Sequence, residues 1–383
     1  MFNPHSNEWL LQKFEFYKEL RARDVAYFSE EYNVHVITRY DDVKFAFGNA
    51  QIFSSAYGNL IVENPSRFGR TLGASDAPLH DTLRSIVKDA YSKENISRVS
   101  RCITKQAREL LTGEKLQISE IAEHLSAWVV AEMINLPYAK QYTKQRVKDL
   151  IFEVQRSAPM ATSENPDDTK YIEMVSLFLH CIESQIPGTG PGIYREAFKS
   201  KFGLSKTEDR VFISLLTGPA ISGASSLTGA LQFLTLDLYR ENKLDELLAH
   251  PELISNAVNE SLRFNSSTGR FSRTVTCEIE MHGVKLQPGD RVALCLESAN
   301  RDPSAFVNPE EFDLHRDTKG HLGFGYGAHA CISLAISKAL MIAYLTELLT
   351  KVGKYRVTTK DFKYFMTSSG NDDMITNIVI EKV

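Results

Sequence analysis

The sequence predicts a mainly α chain with a small β-rich portion, folded as a single large domain over residues 1–383. Three observations carry this. Apolar residues recur at helical spacing along most of the chain. Short β-prone runs separated by turn residues gather after residue 264. No repeat, low-complexity tract or break in composition marks a linker.

The elements follow in order. Trp9, Leu10, Phe14, Tyr17 and Leu20 share one helical face. His35 to Thr38 reads as a short strand, and Asp41 as the cap of the next helix. Residues 54–78 are a loop punctuated by Gly58, Pro65, Gly69, Gly73 and Pro78. Helical periodicity returns over 79–111 and 118–136. Residues 157–168 and 187–192 are Pro/Gly/Ser-rich loops. Residues 211–236 carry no charge and would span roughly 39 Å as a helix. Their Ser, Thr, Gly and Pro content fits a helix through a protein interior, lining something polar, rather than a membrane span. A further helix covers 251–264. Strands are expected at 275–281, 284–287 and 291–296, with turns at His282-Gly283 and Pro288-Gly289-Asp290. An irregular loop over 301–330 precedes a last helix at 335–352.

Composition narrows the function classes. Hydrophobic residues make up 43 % and charged residues 24 %, enough for a large core and inconsistent with disorder. The net charge of −4 provides no global basic field for nucleic acid. The N-terminal MFNPHSNEWL lacks the apolar core of a signal peptide. Five cysteines without a CxxC pair exclude a zinc ribbon or disulfide scaffold, and the odd count fits a reducing, cytoplasmic setting.

The most unusual segment is Gly323-Phe324-Gly325-Tyr326-Gly327-Ala328-His329-Ala330-Cys331. Gly323, Gly325 and Ala328 satisfy a loose dinucleotide fingerprint, but the polar stretch before them cannot be the buried strand that motif needs. The other reading is a glycine loop that presents a thiolate. Close backbone N–H groups and a following helix N-terminus would stabilise the sulfur's charge. Cys102, Cys181, Cys277 and Cys295 read as ordinary cysteines.

This segment resembles the haem-binding loop of the cytochrome P450 monooxygenases, Phe-Gly-x-Gly-x-His-x-Cys-x-Gly. In that family the cysteine is the axial thiolate, which implies Cys331 as the iron ligand of a haem b, with Phe324 and Gly325 beside it. The match departs at Ser333, where the family has glycine, and at Lys338, where it has arginine. Glu260-Ser261-Leu262-Arg263 resembles the family's Glu-x-x-Arg pair, and Arg316 stands where a third partner falls; the trio is expected to brace the fold. His80 and Arg84 share a helix face at i, i+4 and, by the resemblance, grip a haem propionate. Arg273 and His329 resemble further propionate contacts. Ala299-Asn300-Arg301-Asp302-Pro303 also matches a segment common in bacterial members.

On the distal helix the best match is Ser222-Gly223-Ala224-Ser225-Ser226. The resemblance implies a local bulge at Gly223 and an oxygen-facing hydroxyl at Ser226. Ser225 replaces the family's acid, leaving its proton path without a carboxylate. Packing against i−4 carbonyls explains both serines equally well.

The resemblance as a whole implies a soluble, monomeric monooxygenase inserting oxygen into a small organic substrate, a secondary-metabolite intermediate. Electrons are expected from a separate ferredoxin system or flavin-type donor, with no nucleic-acid or membrane partner. Arg84, Lys88, Lys93, Arg98 and Arg101 form either a docking patch or a solvated run. The pocket is expected along 55–75, at Ala220, Thr268 and Phe271, and at Ser369. A peroxygenase, suggested by the absent acid, and a non-catalytic haem sensor are the alternatives.

Overall fold

Ser6 accepts a hydrogen bond from the Trp9 amide and opens the helix Asn7–Ala22. This helix buries Trp9, Leu10, Tyr17 and Leu20 as its apolar spacing requires, and with them Lys13. The computed structural model describes residues 2–63, 68–133, 210–367 and 370–383, with seven isolated positions between 149 and 201. The loops expected at 157–168 and 187–192 lie outside the described residues, as do Cys181 and Ser369.

The helical body consists of Lys93–Leu110, Ile118–Met133, Arg210–Arg240, Ile254–Phe264 and Leu334–Lys351, packed around one large apolar cluster. Arg210–Arg240 is the uncharged run of the sequence, and its second half is buried almost continuously. No helix among the described residues is long and apolar enough to cross a membrane.

The β-rich portion is a five-stranded sheet. Its strand order is Tyr27–Ser29, Val34–Ile37, Arg291–Cys295, Arg270–Val275, Phe53–Ser54. Val34–Ile37 runs parallel to Arg291–Cys295, with Val36 opposite Ala293, and the other pairings are antiparallel. Near the C-terminus, Tyr364–Met366 and Asp373–Ile375 pair as a hairpin.

Several expectations are corrected. The 79–111 stretch is two helices, Leu79–Val87 and Lys93–Leu110, joined by the 3-10 turn Lys88–Tyr91; Ser92 caps the second, accepting from Asn95 N. Asp41 lies in the first turn of Tyr40–Gly48, which starts after Arg39 without a side-chain cap. The 275–281 strand is instead Arg270–Val275, a turn, and Ile279–Met281. Two arginines hide that first strand in the sequence: both Arg270 and Arg273 are buried, and each has a partner or role that the local pattern cannot reveal.

Arg270 belongs to a buried cluster of four charges. Lys13 Nζ lies 2.5 Å from Glu297 Oε2 and 2.7 Å from Asp373 Oδ2. Arg270 Nη2 lies 2.5 Å from Asp373 Oδ1, and its Nε lies 3.5 Å from Glu297 Oε1. Tyr17 donates to Glu297 Oε1 at 2.8 Å. Burial pushes the Asp373 carboxyl up, but Arg270 and Lys13 outweigh it and hold the group below its ordinary range.

Removing one partner from such a cluster strands the opposite charge, so Lys13→Ala is expected to cost about 3–5 kcal/mol in urea denaturation. Arg108→Ala, which breaks the half-exposed pair with Glu347, should cost at most ~1 kcal/mol. Because the folded Asp373 has a depressed pKa, its stabilisation is complete above its unfolded value of about 4 and is lost as pH falls through the folded one. Acid unfolding of Lys13→Ala should therefore begin at higher pH than in the parent. Equal urea midpoints for Lys13→Ala and Arg108→Ala would contradict this account.

Candidate functional site

Gly323 to Cys331 form a loop pressed against two helices. A Cβ on Gly323 would sit 2.7 Å from Leu262 O, and one on Gly327, at φ +73°, would sit 2.4 Å from Phe47 O. The glycines are therefore there for close approach to Ile254–Phe264 and Tyr40–Gly48. Asn300 Oδ1 accepts from Leu322 N at 2.6 Å and fixes the loop's entry. Within it, the 3-10 turn Gly327–His329 is closed by Ala330 N donating to Gly327 O, and Cys331 N donates to Phe324 O at 2.9 Å.

The Cys331 sulfur lies 3.1 Å from Ser333 Oγ. Ser333 occupies the N-cap of Leu334–Lys351 but makes no capping hydrogen bond with its side chain. Its hydroxyl is turned to the sulfur instead. The helix expected at 335–352 begins at Leu334, with the serine between it and Cys331.

Four basic side chains converge beside this loop. The rings of His80 and His329 stand 4.1 Å apart between centroids. Arg84 Nη2 donates to Ala330 O at 3.0 Å. Arg273, 4 % exposed, donates to Ser272 O and stacks over the Phe47 ring. Among the described residues no carboxylate lies within ion-pair distance of Arg273. Burial pulls its pKa down to about 10, opposed only by Asp76. His329 is pushed down to about 3 by burial and by the positive charges of Arg273, His80 and Arg84. His80 Nδ1 meets the exposed Asp81 at 3.1 Å, while its buried Nε2 has no hydrogen-bond partner among the described residues. The set is a cationic nest short of anions.

Behind the loop, Glu260 gathers three groups. Arg263 donates to both its oxygens at 2.8 and 2.7 Å, and Arg316 Nε and Asp313 N each donate to Oε1 at 3.0 Å. Arg263 also donates to Asn300 O and Pro309 O, so the pair clamps the long loop leading to Cys331.

The long helix leaves Ser222 exposed and Ser226 half-buried. Ser226 Oγ donates to Ser222 O at 2.8 Å, the i−4 packing bond. The expected bulge at Gly223 is not there. The helix runs unbroken through it, and Gly223 serves close packing, since a Cβ would lie 3.1 Å from Val130. Ser225 faces elsewhere: its hydroxyl donates to Asp372 Oδ2 at 2.8 Å. Thr268 Oγ1 donates to the other oxygen of Asp372 at 2.6 Å. A carboxylate therefore does stand at the Ser225 position, contrary to the sequence reading. It comes from 147 residues away, where no local pattern points to it.

Phe271 packs edge-on against Phe47. Of Ala220 only the helical backbone is described. Of the expected basic patch, Arg98 is bound to Glu132 and Asn95 and Arg84 to Ala330; Lys88, Lys93 and Arg101 stay exposed. Among the described residues no group of three or more His, Cys, Asp or Glu forms a metal cluster, so Cys331 would hold a metal only together with a further ligand set.

Known proteins share this fold and parts of this sequence. The sequence profile of the family "Cytochrome P450" matches residues 241–361. A putative cytochrome P450, YjiB, of Bacillus subtilis is 25 % identical over 362 residues, covering 91 % of this chain and 90 % of the relative. The polyketide biosynthesis cytochrome P450 PksS of the same organism is 25 % identical over 366 residues, 88 % of each chain. The crystal structure of P450BioI, in complex with an acyl carrier protein ligated to hexadec-9Z-enoic acid, superimposes with a TM-score of 0.84 at 20 % identity, over 98 % of this chain and 100 % of that one.

The Glu260 junction generates a test. Glu260→Ala leaves Arg263 and Arg316 without their shared carboxylate, an expected loss of about 3–5 kcal/mol. Urea titration and the yield of folded protein measure it. Normal stability in Glu260→Ala would remove the bracing role from this residue.

Proposed function

Because this chain belongs to the cytochrome P450 family and is a haem-b monooxygenase, we propose that Cys331 is its thiolate ligand and that His80, Arg84, Arg273 and His329 bind the haem propionates. The fit is supported by charge and by unmet hydrogen bonding. A haem brings two carboxylates, and among the described residues the nest beside the Cys331 loop holds a buried arginine without an ion-pair partner and a buried imidazole nitrogen without a hydrogen bond. This deficit of anions beside one cysteine is the observation that carries the reading. Phe324 and Gly325 shape the loop beside the cofactor, and Glu260, Arg263 and Arg316 hold it from behind.

When bound, the haem thiolate supplies dioxygen activation, the thiolate favouring O–O cleavage. This chain's own residues do the rest. Ser333 offers its hydroxyl to the sulfur and so moderates the thiolate's charge. The long helix, through Ser222 and Ser226, and the segment at Thr268 border the site where a substrate carbon is held and water excluded.

The substrate class is a small organic molecule. The finer reading is a secondary-metabolite intermediate, supported by a relative that is itself named for polyketide biosynthesis. Electrons would come from a separate ferredoxin or flavin-type donor, docking at the exposed Lys88, Lys93 and Arg101. The reading also takes residues 1–383 as one domain and the protein as a cytoplasmic monomer. The peroxide-driven alternative drew on a missing acid at Ser225, and Asp372 weakens that ground.

Two measurements test the assignment. Cys331→Ser should abolish the thiolate-type Soret band of the reduced, carbon-monoxide-bound protein, whereas serine at Cys102, Cys181, Cys277 or Cys295 should preserve it. A normal band in Cys331→Ser would refute the ligand assignment. Arg273→Met removes a buried charge that only a propionate would balance. It should accelerate haem transfer to apomyoglobin at least several-fold while making the haem-free chain no less stable. Unchanged haem retention would remove Arg273 from the propionate set.

A further inference from the structure

We propose that Asp372 is the carboxyl group of the distal site, brought in by the C-terminal turn instead of the long helix, and that it relays protons through the Ser225 and Thr268 hydroxyls. The proposal rests on the monooxygenase reading above and assigns that reaction its proton source.

The geometry is specific. Thr268 and Asp372 form an antiparallel bridge, Asp373 N donates to Ser267 O at 2.8 Å, and Gly269 N donates to Asn371 O at 3.0 Å. Ser267 Oγ in turn donates to Ser226 O at 2.6 Å. One helical turn beyond Ser225, a Cβ on Gly229 would sit 2.4 Å from Asp373 O. The missing side chain lets the turn lie against the helix, and Ser225, on the same face, meets the carboxyl.

The surrounding charges set this carboxyl apart. Lys13 and Arg270 are matched by Glu297 and Asp373, two cations to two anions. Asp372 is the surplus acid. It faces Asp373 and, farther off, Arg270, while the long helix brings only the Ser225 hydroxyl. Burial and Asp373 raise its pKa, hydrogen bonds from Thr268 and Ser225 lower it, and it stands at about 6. An amide would serve equally well as a tie between turn and helix; a group poised to titrate serves proton transfer.

Hydroxylation consumes one O2, two electrons and two protons per substrate, giving alcohol and water. In the relay, the Asp372 proton passes to a hydroxyl oxygen as that hydroxyl's own proton passes to water in the site. The carboxylate left behind regains a proton from solvent before the next turnover. Ser225 Oγ also lies 3.2 Å from Ile221 O and 3.1 Å from Ser222 O, so it can turn its own hydrogen to a backbone carbonyl and accept from a protonated Asp372, holding the proton there while Thr268 passes one on. Thr268 is half-buried where Ser225 is fully buried, so Thr268 is the hydroxyl that would pass the proton to water. Asp372 thus acts through the two hydroxyls and positions the proton for them.

The test uses the haem-loaded full chain with a surrogate reductase. Product and peroxide per electron are measured from about pH 5.5 to about pH 7.5, the range that brackets this carboxyl. Difference infrared spectra over the same range follow the protonated carboxyl stretch without turnover. The parent should show a carboxyl band titrating near 6, and its product per electron should fall several-fold as pH rises. Asp372→Asn should lack that band and give a several-fold lower, pH-independent product yield, with haem content and substrate affinity kept. Should Asp372→Asn fail to fold, Ser225→Ala decides: it should shift the band and raise peroxide. Identical product-to-peroxide ratios in parent and Asp372→Asn, or an unchanged band and ratio in Ser225→Ala, overturn the proposal. Absence of any product from the parent would instead count against the monooxygenase reading, with the infrared result still standing for or against Asp372.

Discussion

Four buried charges tie the ends of this chain to its middle. Lys13 comes from the first helix, Arg270 from the sheet, Glu297 from the segment after it and Asp373 from the C-terminal hairpin. Each ion is costly to bury alone, and together they are neutral. That neutrality fixes the C-terminal hairpin at one register against the sheet. Every contact that the hairpin makes with the long helix depends on it, including the approach of Asp373 O to Gly229 and of Asp372 to Ser225. A shift of one residue would bring either Asp373 to the helix with Met374 among the cations, or Asp372 among the cations with Asn371 at the helix, so one of the two places would lose its acid.

The two faces of the site are built with opposite electrostatics. Beside the Cys331 loop stands a cluster of His80, Arg84, Arg273 and His329, in which burial and then the neighbouring positive charges depress His329. The long helix contributes no charge at all over 211–236, where hydroxyls and small residues stand among apolar ones. The first face is complementary to carboxylates. The second offers hydrogen bonds without a fixed charge, and this leaves room for a single carboxyl to titrate there. A charged residue at Ser225 would have to share a buried space with Asp372, at the cost that two like charges impose on each other. The serine at that position and the acid in the hairpin therefore form one arrangement, and neither is a defect of the other.

Much of this was legible in the sequence, for a local reason. The Cys331 loop, the Glu260–Arg263 pair and the His80–Arg84 spacing each lie within ten residues, so their geometry follows from one turn or one helix face. The long helix announced itself by lacking charge. What stayed hidden is non-local. Lys13 gives no signal in the sequence, and its partners lie 284 and 360 residues away. The strand Arg270–Val275 was missed because two buried arginines look out of place in it, Arg270 until Glu297 and Asp373 are known to face it. Gly223 looked like an oxygen-site bulge, and only the position of Val130 shows it to be a packing glycine.

Ser333 shows how a departure from a pattern can still be read physically. Where a glycine would let the next helix come close, a serine adds a hydroxyl 3.1 Å from the Cys331 sulfur. A serine at an N-cap ordinarily spends its side chain on the first free amides of the helix. This one does not, and Ser337 Oγ stands 3.4 Å behind it. The helix gives up a capping bond, and the sulfur gains a neutral hydrogen-bond donor that glycine cannot supply. Such a donor draws charge from a thiolate and weakens its push on a bound metal. The same chain places its surplus carboxyl opposite, at Ser225. Donor strength on one side of the site and proton supply on the other are thus both set by serines at positions where the resemblance led one to expect something else.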